Sequence, residues 1–305
     1  MTDDETPPGP SIVRHRNGGP LSSIIPLLMR LAVHHQLRYQ YDHPVVLTPH
    51  TLYLYPRTYP YQRLQRYELR IDPEPSKVVR NVDVEGNVQQ LVYFNSQTDH
   101  LTITAQLELE SDPFQSLDFV LYPFETQRVP FTYPAQVRPL LEPYLIREGV
   151  TEAVETWARQ VAAGVNWQTV PFLIALSQAI RQFTYTTREE GAPWQPEQTL
   201  REQQGSCRDY TTLYMAACRS LGLAARFVSG YLFGSAQQEH QLHAWAEVYL
   251  PGAGWRGFDP TENTVVVNKH IFLASSARAE LTIPVTGTFS GQAHSSLTAE
   301  VKITG

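Results

Sequence analysis

The sequence predicts an α+β protein in which an N-terminal antiparallel β domain precedes helices packed on a second antiparallel sheet. Three observations predict it. Apolar residues recur with period two from about residue 29, the period turns helical between Thr151 and Phe183, and strand-like alternation returns from Ala225 to the end. Elements segregated in this order do not build the alternating units of a doubly wound parallel sheet. With 305 residues, 42% of them apolar, the chain can bury a core large enough for two domains or one elaborated domain.

Residues 1–28 carry Thr6-Pro7-Pro8-Gly9-Pro10 and Asn17-Gly18-Gly19-Pro20, a composition expected of a disordered extension. The β domain is expected over 29–125. Val33, Leu37, Tyr39 and Tyr41 share one side, Tyr67-Glu68-Leu69-Arg70-Ile71 alternates, and Leu101, Ile103, Ala105, Leu107 and Leu109 alternate with polar residues. Asp72-Pro73-Glu74-Pro75 and Glu85-Gly86-Asn87 mark turns between these strands. The run Asp83-Val84-Glu85-Gly86-Asn87 holds two carboxylates beside a glycine, but it lacks the length and terminal Glu of a calcium loop and reads as a hairpin turn.

A helical connector is expected over 126–165, with prolines at 130, 134, 139 and 143 and a helix over Thr151–Ala163 that Thr151 caps. The core is expected over 166–305. It comprises a helix at Pro171–Phe183, another starting near Cys207, and strands to the C-terminus.

A formal charge of −6 and a pI near 5.9, with no Lys/Arg run, exclude a general nucleic-acid or anionic-membrane binder. Ile24-Ile25-Pro26-Leu27-Leu28 is too short to span a bilayer, and no secretory pattern is evident. The two cysteines, Cys207 and Cys218, would lie roughly 16 Å apart on one helix at about 1.5 Å per residue, which excludes a disulfide between them. Two thiols outside any disulfide suit a reducing compartment, so a cytoplasmic location is expected.

The chemistry concentrates after residue 200. Ser206 and Asp209 form a capping-box pattern that puts Cys207 at the first helical position, where the helix dipole favours thiolate. Tyr210, Leu213, Tyr214, Ala217, Cys218 and Leu221 then make a buried stripe that ends at Gly222, which places Cys218 in the core. A nucleophilic thiol needs a base, and the base an orienting acceptor. His243-Ala244-Trp245-Ala246-Glu247-Val248-Tyr249-Leu250 alternates as a strand, Pro251–Gly254 turns, and Trp255-Arg256-Gly257-Phe258-Asp259-Pro260 returns. Antiparallel pairing would bring His243 and Asp259 together at one end of that hairpin. His240 and His243 are offset by an odd number on a strand, so they face opposite ways and do not form a zinc pair; no metal or other cofactor is expected.

Gly205-Ser206-Cys207-Arg208-Asp209-Tyr210, Arg219-Ser220-Leu221-Gly222, Ala225–Tyr231, His243-Ala244-Trp245-Ala246-Glu247-Val248 and Gly257-Phe258-Asp259-Pro260-Thr261 together resemble the core of the transglutaminase-like superfamily. Arg38–Asp42, Leu54-Tyr55-Pro56-Arg57 and Asp83–Asn87 resemble the N-terminal β region of its bacterial members. The resemblance implies a papain-like, transglutaminase-like core. It also implies Cys207 as nucleophile, His243 as general base and later acid, and Asp259 as the residue that orients His243. The substrate would be a peptide or protein amide. Its thioester would pass to water in a hydrolase or to an amine in a transglutaminase, and a binding protein with a retired site is the rival outside catalysis.

The second oxyanion donor is open between Tyr185 and Trp194, each of which also reads as a core or groove-lining aromatic; Gln203 and Gln204 are near enough to contribute or to be solvated loop residues. Arg208 could contact substrate or lie solvated at the surface. Ala224 replaces a proline of the family pattern. Ala274-Ser275-Ser276-Ala277-Arg278-Ala279-Glu280 replaces a Gly-Arg-Asp-Tyr block that family resemblance puts near the mouth of the site. Bacterial members begin near the position of Met29, so translation from there is expected to yield the folded body.

Overall fold

β1 (Met29–Leu47) is the spine of the N-terminal half. Its buried face carries Leu31, Val33, His35, Leu37 and Tyr41, while Arg30, Arg38 and Gln40 point to solvent, the alternation expected of a strand packed on one side. The structure, a computed structural model, describes residues 28–188, 191–235 and 242–305. The expected disordered extension, apart from Leu28, lies outside the described residues, as does His240.

After β1 come β2 (His50–Leu52), β3 (Gln62–Asp72), β4 (Lys77–Val82), β5 (Val88–Tyr93) and β6 (Gln97–Ser111). β6 pairs antiparallel with β1 on one edge and β3 on the other, and β5 pairs with β2 and β4. The Asp83–Asn87 segment is the β4–β5 hairpin turn. Asp83 Oδ1 accepts the backbone N–H groups of Glu85 (2.9 Å) and Asn87 (2.8 Å), and Gly86 takes φ +81°, a conformation open to glycine.

The connector leads to α1 (Arg138–Leu145), α2 (Glu152–Gly164) and α3 (Thr169–Arg181), with Thr151 capping α2 by accepting from Val154 N–H. Next come β7 (Thr184–Tyr185), α4 (Pro196–Glu202), β8 (Gln204–Gly205) and α5 (Cys207–Ser220). β9 (Ala225–Leu232), β10 (Leu242–Leu250), β11 (Gly254–Asp259), β12 (Thr264–Val265) and β13 (His270–Ser276) form an antiparallel sheet in the order β12-β11-β10-β9-β13. α5 is more enclosed than a single stripe implies: every residue but Arg208 and Thr212 is buried. One side packs on β9 and β10, and α2, α3 and α4 cover the others.

Two expected boundaries do not follow the packing. Val154, Ala158 and Ala162 of α2 repeat at four-residue spacing and enter the same core as Phe172, Leu176, Tyr214 and Cys218, so this helix is part of the core rather than of a connector. At the other end, β14 (Val285–Thr286), β15 (Phe289–Ser290) and β16 (Ser295–Thr304) leave the second sheet. β14 pairs with β2, while β15 and β16 extend the ladder of β1, with Leu37 opposite Ala299. The chain therefore ends on its first domain.

The two halves share a core in which Leu31, Val33, Leu107, Leu109 and Val301 meet Tyr231, Ile271 and Leu273. Truncating one such side chain to Ala costs about 2–5 kcal/mol. Polar contacts add register. Asn87 Nδ2 donates to Ser275 O (2.8 Å) and its Oδ1 accepts from Ser275 N–H (2.9 Å); Glu85 Oε1 accepts from Ser276 Oγ–H (3.0 Å) and Ala277 N–H (3.2 Å). Ala274–Glu280, expected near the mouth of the site, thus begins as the buried end of β13 under the β4–β5 turn. Five residues at about 3.3 Å each put Ser275 roughly 16 Å along the strand from His270.

Candidate active site

Gly205-Ser206 delivers the chain to the start of α5, and the capping box is formed: Asp209 Oδ2 accepts from Ser206 N–H (2.7 Å) and from Ser206 Oγ–H (2.8 Å). Gly205 is required there, because a Cβ would come within 2.8 Å of Asp209 Cβ. Cys207 occupies the first helical position with 4% of its surface exposed. Its N–H is one of the helix-start donors without an intrahelical acceptor.

β10 presents His243 opposite Gly230 of β9. The β10–β11 ladder ends with Ala246 opposite Phe258, so His243 and Asp259 lie just beyond it at one end of the sheet. There Nε2 of His243 meets Asp259 Oδ2 at 2.7 Å, with both side chains at most 1% exposed. His243 also hydrogen-bonds the Cys207 side chain. Nε2 is committed to Asp259, so the nitrogen that meets the sulfur is Nδ1. Burial disfavours the imidazolium, but the charge and hydrogen bond of Asp259, together with Cys207, outweigh it and raise the His243 pKa to about 10. Burial likewise pushes Asp259 up, yet His243 and two hydrogen bonds hold its carboxyl well below the usual carboxylate range.

The remaining expected site residues are placed as follows. Tyr185, on β7, is half-buried and turns edge-on to Tyr210 (6.1 Å between ring centroids, 74°). Trp194 gives its backbone N–H to Asp209 Oδ1 (2.7 Å), and its ring lies 4.8 Å from the Arg188 guanidinium. Gln203 ends α4 in a left-handed conformation (φ +48°), and Gln204 pairs with Thr184 in the short parallel ladder of β7 and β8. Arg208 donates to the carbonyls of Arg188 (2.6 Å) and Gly191 (2.8 Å), tying that loop to the helix start. Asp209 ion-pairs with Arg188 (3.3 Å) besides closing the capping box, so it braces the same loop.

A residue absent from the sequence reading joins the group. His270, at the start of β13, meets Asp259 Oδ2 through Nε2 at 3.1 Å and is 2% exposed. β11 and β13 are not neighbours in the sheet; the intervening residues 260–269 bring the two side chains together. The available signal was a lone polar residue opening an apolar strand, Ile271-Phe272-Leu273, shortly after the Asp-Pro turn.

His243, Asp259 and His270 offer ligand atoms within 4.8 Å of one another, a set that could in principle hold a metal. Bonds of about 2.1 Å around a tetrahedral ion would set those atoms about 3.4 Å apart. The contacts to Asp259 Oδ2, 2.7 and 3.1 Å, are instead hydrogen-bond lengths, so the trio fits shared protons better than a shared ion.

Residues 31–110 match the model of the bacterial transglutaminase-like N-terminal region, and residues 155–260 that of the transglutaminase-like superfamily core. An uncharacterized protein of Mycobacterium tuberculosis is 28% identical over 261 residues, spanning 79% of this chain and 82% of that protein. One of Mycobacterium leprae is 22% identical over 285 residues, spanning 91% and 99%. The solved structure of a proposed cysteine protease from Cytophaga hutchinsonii has the same fold, with a TM-score of 0.68 over 91% of each chain at 19% identity. The chain thus carries, in order, a region matching the bacterial transglutaminase-like N-terminal region and one matching the transglutaminase-like superfamily core, and it shares the fold of that solved structure across its length.

Proposed function

We propose that the protein is a cysteine-dependent enzyme that hydrolyses amide bonds of peptides or proteins through a thioester on Cys207. The observation that carries this reading is the buried relay from Cys207 at the start of α5 through His243 to Asp259. A carboxylate on one imidazole nitrogen and a thiol on the other favour the thiolate–imidazolium pair. The thiolate attacks the amide carbon, and the oxyanion that forms is met by the Cys207 N–H at the helix start. Collapse breaks the C–N bond as His243 gives its proton to the departing nitrogen, leaving a thioester and an amine. His243, now neutral, takes a proton from water; hydroxide attacks the thioester, and the thiolate leaves with the imidazole again protonated. Asp259 keeps its charge throughout and holds the ring's tautomer and orientation.

Water is proposed as acceptor because it needs no groove of its own. Neither cysteine is in a disulfide, which supports a reducing compartment such as the cytoplasm as the working location. Labelling with a peptide electrophile, followed by mass mapping, tests the nucleophile: wild type should be modified at Cys207 and Cys207→Ala not at all. Turnover of a peptide library in ¹⁸O-water, with and without a primary amine, tests the acceptor. Heavy oxygen in the new carboxyl supports hydrolysis, whereas amine conjugates would redirect the reading to transglutamination. A Cys207→Ala protein that still turns over peptides would sink both.

A further inference from the structure

We propose that His270 is a positioning residue of this site, donating its Nε2–H to Asp259 so that the carboxylate is locked against His243. This rests on the Cys207–His243–Asp259 reading above. Asp259 Oδ2 receives His243 at 2.7 Å and His270 at 3.1 Å. Its other oxygen, Oδ1, receives the backbone N–H groups of Thr261 (2.9 Å) and Glu262 (3.2 Å). An ionised carboxylate has about four acceptor positions, and here all are filled from three directions. Of these four donors, His243 comes from the paired strand, Thr261 and Glu262 from the turn that follows Asp259, and His270 from a strand that is not a neighbour of β11 in the sheet.

The ring of His270 is itself fixed. Its Nδ1 lies 3.2 Å from Val267 N and 3.3 Å from Val267 O, and because the ionised Asp259 can only accept, the Nε2 that meets it at 3.1 Å is the donor, which leaves Nδ1 able to accept from Val267 N–H. Trp245 packs edge-on against the ring at 5.2 Å. The backbone is held from the other domain: Gln62 Nε2–H donates to His270 O at 2.7 Å, and to Ser111 Oγ at 3.1 Å. The titratable groups around Asp259 are His243 from β10, with Cys207 of α5 behind it, and His270 from β13; Glu262, on the turn after β11, accepts from Ser235 Oγ–H at 2.5 Å.

Cys207 alkylation by iodoacetamide, followed by mass-mapped kinetics across pH, reads the thiolate–imidazolium pair without needing a substrate. In wild type the rate should stay high below neutrality. His270→Leu, similar in volume but without a donor, should move the low-pH limb upward by more than about half a unit. His270→Gln places an N–H near the position of Nε2 and should keep the limb near wild type. Should the leucine protein not fold, His270→Asn, too short to reach Asp259, takes its place with the same expectation. Thermal melting run beside these separates packing from positioning, because lost packing lowers Tm without moving the limb. Leucine or asparagine profiles identical to wild type overturn the proposal, as does a glutamine profile shifted as far as theirs. His243→Ala distinguishes the two levels: if its profile equals wild type, the underlying relay is wrong, and if it shifts while His270→Leu does not, only the role of His270 fails.

Discussion

His35 should make the protein lose stability on mild acidification. It lies in β1 at 1% exposure, where the N-terminal sheet meets Tyr231 of the second sheet. Nδ1 shares a hydrogen bond with Tyr231 Oη (2.9 Å), and Nε2 has no hydrogen-bond partner among the described residues. A protonated ring needs two acceptors and the site offers one, so the cation would be both desolvated and half satisfied. Burial, then His34, lowers the pKa from 6.5 to about 4. With the folded value below the unfolded one, the unfolded chain binds the proton first as pH falls. Stability from the neutral ring is whole above about pH 6.5 and is lost progressively down to about pH 4. A gap of that size is worth about 2 kcal/mol at pH 5 and about 3 kcal/mol once both states are protonated. His35→Asn keeps a polar partner for Tyr231 but cannot titrate. Urea unfolding at pH 7.5, 6, 5 and 4.5 should give a wild-type stability that falls more steeply than that of His35→Asn, the difference growing toward low pH. Other groups, such as His50, cancel between the two proteins. Parallel stability curves would refute the assignment.

Three further outcomes can be checked. Arg226 and Glu247 form a buried ion pair (2.6 Å, at most 5% exposed) with Tyr59 Oη–H donating to Glu247 at 2.8 Å, so Glu247→Leu should cost about 3–5 kcal/mol in urea unfolding while Arg226→Leu/Glu247→Leu recovers most of it. A double variant no better than the single one would contradict this. Gly230 lies beneath Trp245, whose Cη2 would be 2.6 Å from an added Cβ, and beside the Ile271 carbonyl; Gly230→Ala should destabilise by about 1–3 kcal/mol, and a change below about 0.5 kcal/mol would show that the strands yield easily. Cys218 is fully enclosed and burial pushes its thiol far up, so native protein should be alkylated at Cys207 alone, and Cys218→Ala should cost about 1–2 kcal/mol without altering that rate; loss of Cys207 reactivity in a folded Cys218→Ala protein would contradict the separate roles.

Local patterns carried much of this into the sequence. Period two in β1 and β6 gives the buried faces correctly because each strand packs on one side. The cap at Ser206 and the hairpin after His243 need only neighbouring residues, and these are the features that bring Cys207, His243 and Asp259 to one place. What was illegible is long-range. β16 is mostly exposed and polar, so nothing in its ten residues says that it joins β1 rather than the second sheet, some 260 residues away in the chain from its partners. Arg208 offered only a charge; that it ties two loop carbonyls follows from a loop whose path sequence does not give. His270 meets Asp259 only because residues 260–269 return across the end of the sheet.

The junction between the two halves explains why such a residue can be held in place. β13 is an edge strand, and edge strands leave N–H and C=O groups unpaired on one side. Here the segment after β2 answers them: Arg57 N–H donates to Phe272 O (3.0 Å), Gln62 to His270 O, and the Asp83–Asn87 turn exchanges bonds with Ser275. Beneath them, Leu31 and Leu107 pack on Ile271 and Leu273. The β region therefore closes the edge of the sheet that carries His270, and it does so along the whole of β13, from the histidine beside Asp259 to the serines under the turn. A strand paired and packed on both sides cannot shift its first residue without breaking bonds in both halves. On this view the N-terminal region is part of the support of the site, because the carboxylate hydrogen-bonded to His243 also meets a side chain whose own backbone the β region holds.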